Sequence, residues 1–175
     1  MKSNHSKIII SLVAIVLFIG LCQIANQYFQ RTIYPRDYRE YVEKYSSEFS
    51  VPEYIIYSVI KVESDFVSDA KSEKGACGLM QLMPQTYNWL TERKNEKAGD
   101  ILDPEENIKY GTYYLSMLYE RYQSWTYVFC AYNAGMGNVD KWLKEEPFEI
   151  QFLETQYYVN KLEVVTSKYL SLYYR

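Results

Sequence analysis

The run Ile8–Ala25 (IIISLVAIVLFIGLCQIA) limits the rest of this chain more than any other feature. It holds no charged residue and is near the lower length limit for a helix that crosses a bilayer. Any globular structure must therefore come from the residues after it. Lys2 and Lys7 precede the run, and Arg31, Arg36 and Arg39 follow soon after. The charge rule thus gives only weak support for an N-terminus inside. A signal-peptidase site asks for small residues at two alternate positions, and Gln23 and Ala25 do not supply that pair. Cys22 follows Leu21, which is too large for the residue usual before a lipoprotein cysteine. The expectation is an uncleaved single-pass anchor in the cell membrane. Residues 1–7 form a cytoplasmic tail, 8–25 the transmembrane segment, 26–45 a linker and leading helix, and 46–175 a folded domain outside.

Composition removes several classes of function. The chain has 175 residues, 48% apolar and 23% charged, which suits one packed domain plus an appendage. Its net charge is −3, with no basic run, which argues against a nucleic-acid partner. The single histidine is His5, ahead of the apolar run. A histidine-based metal site, a Ser–His pair and a Cys–His pair are therefore excluded from the folded domain, and no metal or cofactor is expected. Tyrosine is abundant, at 20 residues. Its apolar faces and polar tip suit wet grooves such as sugar sites, although most of these rings should simply fill helix contacts.

The apolar spacing predicts a mainly helical domain. Residues 26–35 read as a short polar connection. Arg36–Phe49 follows as a helix with Tyr38, Tyr41, Val42, Tyr45 and Phe49 on one side. Pro52–Phe66 is the next helix, with proline at the permitted first position. Ser68–Met83 is richer in glycine and small residues and predicts a loop with a short hairpin near Gly75–Gly78. Pro84–Leu90 resumes as helix, and Thr91–Gly99 is an exposed loop. Asp103-Pro104 opens a further helix, since Asp caps well and Pro fits the first turn. Trp125–Asn133, Val139–Leu143 and Glu154–Tyr173 complete the helical pattern.

Glu63 stands out within this pattern. At about 100° per residue, Ile56, Val59, Ile60 and Phe66 fall within about 60° of Glu63, with Lys61, Ser58 and Asp65 on the far side. A carboxylate among aliphatic side chains is poorly solvated, which raises its pKa. A carboxylic acid that keeps its proton near neutral pH is what a general acid needs. Position alone equally admits a glutamate that bends out to water or meets a cation.

The residues downstream decide between these readings. Glu63-Ser64 is followed by Ser72, then by Gly75-Ala76-Cys77-Gly78-Leu79-Met80-Gln81-Leu82-Met83-Pro84. Asp103-Pro104, Asn107-Ile108 and Gly111 come next, then Ala131-Tyr132-Asn133-Ala134-Gly135 and Glu154-Thr155-Gln156-Tyr157-Tyr158-Val159. This ordered series resembles the soluble lytic transglycosylase family, whose catalytic domain is similar to goose-type lysozyme. The resemblance covers about residues 46–170 and implies a mainly α, lysozyme-like α+β fold with a short hairpin or loop lining a cleft. It implies cleavage of the β-1,4 bond between N-acetylmuramic acid and N-acetylglucosamine in peptidoglycan.

In those terms Glu63 is the catalytic acid and then base. Asp65 should point about 160° away from it on a helix, and loop residue Asp69 stays open as a second carboxylate. A one-acid mechanism follows more naturally, in which the substrate's own C6 hydroxyl attacks and leaves a 1,6-anhydromuramoyl end. Hydrolysis by a muramidase on the same scaffold and a catalytically silent wall-binding protein remain the alternatives. The resemblance places Ser72, Gln81 and Met83 along the groove, with the Gln81 amide able to donate to and accept from an N-acetyl group. It has Tyr132 facing and orienting Glu63. Asn133 is either a ligand contact or a helix-ending cap. Glu154 and Tyr158 match the family's last motif, and Glu154 either meets a peptide ammonium or is a solvated helix charge. Cys77 and Cys130 depart from the family pattern. They are either drawn together, with a disulfide open to them outside the membrane, or two small buried hydrophobes.

Overall fold

The computed structural model describes residues 2–174, apart from the side chains of residues 2–6 and 8–11. The side chains of most of the expected cytoplasmic tail, that of His5 included, lie outside this description. The chain divides into two units, Met1–Pro35 and Arg36–Arg175.

The first unit is one helix, α1 (Lys2–Ile33). Its stretch Leu12–Ile33 has a mean hydropathy of 1.8 and is long and apolar enough to cross a membrane. The polar connection expected from residue 26 is therefore helix as far as Ile33. Gln27, Gln30 and Arg31 are good helix formers despite their polarity, and Tyr34, just before Pro35, is the first residue disfavoured in a helix.

The second unit contains α2 (Arg39–Phe49), α3 (Glu53–Glu63), α4 (Pro84–Arg93), α5 (Pro104–Tyr122), α6 (Trp125–Ala134), α7 (Met136–Trp142) and α8 (Leu153–Tyr173). It starts ahead of the expected boundary at residue 46, because α2 belongs to it. The Lys44 Nζ and the Tyr45 hydroxyl both donate to Glu105 Oε1 on α5, at 2.7 and 2.9 Å. At the other end of the unit, the Arg36 guanidinium lies 4.9 Å from the Tyr173 ring, 5.8 Å from Tyr174 and 6.0 Å from Tyr57. The Tyr174 hydroxyl reaches Glu53 Oε2 at 2.7 Å. Tyr173 and Tyr174 thus join the beginning and the end of this unit.

α3 is the central helix, packed against α8 and α2. Every residue from Ile55 to Ile60 is buried, not one face alone. Ser58, expected on the outer side, is fully enclosed and donates its hydroxyl to the Tyr54 carbonyl at 2.5 Å, a local bond that lets a serine sit in a core. α3 also stops three residues earlier than its periodicity predicts. Ser64 caps it by donating its backbone N–H to Ile60, and Asp65 and Phe66 turn left-handed at φ 51° and 67°. Phe66 leaves the helix, and its ring rests 6.4 Å from Tyr57. Asp65 is exposed and paired with Lys61, so it turns away from Glu63 through the turn and not through helix rotation.

No strand occurs among the described residues. The expected hairpin is reduced to two antiparallel bridges, Lys71 with Cys77 and Cys77 with Leu82.

Candidate active site

The loop from Cys77 to Leu82 is held by backbone bonds and by two polar side chains from outside it, Asn107 and Ser64. Cys77 and Leu82 exchange N–H and carbonyl at 2.9 Å in both directions, which closes the loop. Asn107 on α5 sits beneath it, fully buried. Its Oδ1 accepts from Met80 N–H at 2.7 Å, and its Nδ2 donates to Cys77 O at 3.0 Å and Ile101 O at 2.8 Å. Ser64 Oγ donates to Leu79 O at 2.8 Å, so the residue after Glu63 ties α3 to the loop. The glycines follow from this close approach. Gly78 has φ +77°, and a Cβ there would lie 2.3 Å from Asn107 Nδ2. A Cβ on Gly111 would lie 2.4 Å from Met80 Sδ. Leu79 and Met80 are fully buried, as a turn anchored in the core requires.

Glu63 closes α3 at the edge of a cleft of about 400 Å³. Ser72, Gln81, Met83, Tyr132, Asn133 and Glu154 all line this cleft. Glu63 is half-buried. Burial raises its pKa to about 7, although a bond from Tyr158 and the charge of Lys161 act against that rise. The Tyr158 hydroxyl donates to Glu63 Oε1 at 2.6 Å.

Several of the expected contacts are made differently. The Tyr132 hydroxyl donates to Met80 O at 2.8 Å and not to Glu63. Orientation of the acid falls to Tyr158, two turns into α8, where the sequence marked only a motif match. Both hydrogens of the Gln81 amide are taken by Ala70 O at 3.1 Å and Gly78 O at 2.9 Å. Only its Oε1 is left for a ligand, so Gln81 can accept from an N–H or O–H but not donate. Ser72 Oγ accepts from Ala76 N–H at 3.0 Å and shapes the small loop ahead of Cys77. Met83 is exposed at the first boundary of α4. Asn133 is not the cap of α6. That place is taken by Gly135 at φ +83°, while Asn133 Oδ1 accepts from the Thr155 hydroxyl at 2.7 Å.

Glu154 is paired. Lys74 Nζ lies 3.0 Å from both of its carboxylate oxygens. Lys74 and Glu73 also line the cleft, and the sequence reading missed both. Lys74 lies in the glycine-bearing loop, and nothing in local periodicity pairs it with a residue 80 positions away. Cys77 and Cys130 are free, buried thiols. Cys77 Sγ lies 3.4 Å from Gly75 O, while burial pushes the Cys130 thiol up to about 11 with Glu163 nearby. Both thiols are free and buried, as small hydrophobes are, and they form no disulfide.

Comparisons with known proteins identify the family of the fold. The family model for the Transglycosylase SLT domain matches residues 40–153. The soluble lytic murein transglycosylase of Escherichia coli K12 is 34% identical over 115 residues, which is 63% of this chain and 18% of that protein. The membrane-bound lytic murein transglycosylase C of Actinobacillus succinogenes is 29% identical over 151 residues, covering 79% of this chain and 41% of that one. Among solved structures, the 70 kDa soluble lytic transglycosylase of Escherichia coli superposes with a TM-score of 0.75 at 27% identity, over 84% of this chain and 28% of that one. An inactive Glu-to-Gln mutant of the lytic transglycosylase Slt from Pseudomonas aeruginosa gives 0.73 at 28%, over 79% and 24%. The chain therefore spans less than half the length of each of these relatives. With the family model matched over most of its second unit, this chain belongs to the SLT-domain family of lytic transglycosylases.

Proposed function

We propose that this protein is a peptidoglycan lytic transglycosylase that uses Glu63 as its single general acid and base. The observation that carries the reading is a carboxyl group raised to about 7 by burial and held by Tyr158 at 2.6 Å in a cleft. At neutral pH such a group is partly protonated and can donate to a glycosidic oxygen. As the C1–O4 bond breaks, the acetamido oxygen of the N-acetylmuramoyl residue supports the cationic C1. Glu63, now a carboxylate, removes the proton from the C6 hydroxyl of the same sugar. O6 then bonds to C1, and the strand ends in a 1,6-anhydro ring with no water consumed.

Met83 and Tyr132 form a partly apolar wall for the sugar faces, and Gln81 Oε1 accepts from an acetamido N–H. The relatives named as murein transglycosylases support peptidoglycan as the substrate. The apolar stretch Leu12–Ile33 supports a single membrane crossing; in this reading the N-terminus lies inside and the catalytic unit faces the wall.

Glu73 favours a second reading, because it puts another carboxylate on the same cleft. Such a residue could activate water and make the protein a muramidase. The products distinguish the two. The detergent-solubilised full-length protein should release muropeptides one water lighter than a hydrolase does, read by mass spectrometry. Reducing muramic acid as the only product would establish the hydrolase.

A further inference from the structure

We propose that Trp89 floors a distal subsite of the cleft, which holds a sugar of the same glycan strand beyond those lying over Glu63. This rests on the glycan reading above and adds a preference for long strands.

A second hollow of about 260 Å³ is lined by Gln85, Thr86, Trp89, Tyr114 and Met136. α4 turns Tyr87, Leu90 and Thr91 into the core, which leaves Gln85, Thr86 and Trp89 on its outer side at helical spacings of three and four. Trp89 remains 37% exposed, although indole is among the largest apolar surfaces a chain can bury. Its ring stands edge-on to Tyr114 at 6.5 Å and 87°, with the Arg93 guanidinium 5.9 Å from its centroid. A part-open indole presents a flat apolar face, and a tryptophan has only two side-chain torsions to order.

The chemistry of the hollow selects its occupant. Its lining has an amide, two hydroxyls, a thioether and an indole, and no ionisable acid or amine. The cleft over Glu63 differs, since it also carries Glu73, Lys74 and Glu154. An uncharged ring with one apolar face and a rim of hydroxyls fits the hollow. None of these five side chains offers a counter-ion to a charged stem peptide, and the one cation beside them, Arg93, is held at the Trp89 ring.

Residues close in the chain line the cleft and the hollow on both walls. Met83 lines the cleft and leads into α4, and Trp89 follows six residues on, about 9 Å along the helix axis, more than one sugar ring away. On the other wall Asn133 lines the cleft and Met136 the hollow. Between them Tyr132 of the cleft and Tyr114 of the hollow stand 5.4 Å apart. A strand lying over Glu63 is thereby directed onto Trp89.

The test measures kcat and KM of the full-length protein in detergent on glycan fragments of increasing length. For Trp89→Ala, kcat/KM should fall about tenfold more on strands long enough to reach the hollow than on fragments that fill only the Glu63 cleft, with the difference in KM. Trp89→Phe should keep most of the preference for long strands. Equal losses at all lengths from a variant with an unmoved melting temperature would overturn the subsite. Should Trp89→Ala fail to fold, binding decides. In Glu63→Gln, long oligosaccharides should shift the indole emission, and the shift should be lost in Glu63→Gln/Trp89→Phe; a shift that persists would overturn the proposal. Failure of the wild type to cleave any length would reject the activity instead, and the binding arm would still read Trp89.

Discussion

Glu63 carries two linked predictions at the scale of a residue. Burial raises its pKa from 4.5 to about 7, so the proton-donating form is lost as pH rises through that value. Activity should stay near its plateau below about pH 7 and fall roughly tenfold per pH unit above it, measured as the clearing rate of a wall suspension. Stability moves the same way. The folded state holds this proton where the unfolded state has already released it, so stability declines between about pH 4.5 and 7 and stays low above. Glu63→Gln removes the titration, should abolish cleavage, and should melt later than wild type at pH 8 by an amount worth about 3 kcal/mol, with little gain at pH 4. Equal melting shifts at both pH values would remove burial as the cause. The Tyr158 hydroxyl favours the ionised acid, so Tyr158→Phe should move the alkaline limb of the pH profile upward and lower kcat. Tyr132→Phe acts elsewhere. It leaves Met80 O without its hydroxyl partner and should cost about 1 kcal/mol in stability, with the pH profile unmoved.

At the scale of an element, the Cys77–Leu82 loop is held by groups outside itself. Asn107 supplies three bonds to backbone atoms around it. Asn107→Ala would strand these buried groups at about 1–3 kcal/mol for each one unmet. It should lower the melting temperature sharply and abolish cleavage while leaving far-ultraviolet dichroism helical. Gly78→Ala meets both a left-handed backbone and a Cβ position 2.3 Å from Asn107 Nδ2, so it should match the Asn107→Ala loss in activity. A Gly78→Ala protein with wild-type melting and turnover would show that the loop has another way to close. The same reasoning explains why α3 stops at Glu63. Ser64 gives its hydroxyl to Leu79 O, and the chain then turns left-handed through Asp65 and Phe66. The acid thus stands at a helix end, where it can face a cleft.

At the scale of the molecule, the chain pairs an apolar helix with a separate compact unit. Cell fractionation should place the protein with the membrane at its full mass. Recovery of a shortened soluble species beginning near residue 26 would mean that α1 is removed as a signal sequence. Within the compact unit the tyrosine and arginine contacts at Arg36 close the ends of the domain onto each other. Arg36→Ala should therefore lower the melting temperature, by about 1–2 kcal/mol in stability, and leave kcat unchanged.

The apolar run, the helical periodicities and the ordered motif from Glu63 to Val159 were readable without coordinates. Each depends on composition or on spacing within a few turns, and hydrophobic burial acts on such local patterns directly. The raised acid was legible for the same reason, since Glu63 extends the buried stretch of α3 and is itself raised by burial. The partners were not legible. Tyr158 meets Glu63 across 95 positions, Lys74 meets Glu154 across 80, and Tyr132 meets Met80 across 52. A hydroxyl or ammonium finds its acceptor only after helices have docked, and no local preference distinguishes one tyrosine among twenty. Helix ends escaped in the same way: α1 ran on through polar residues, and α3 stopped short where the loop took Ser64. Sequence alone determined which residues could do chemistry. Tertiary packing decided which of them meet, because directional bonds depend on positions that only the assembled core fixes.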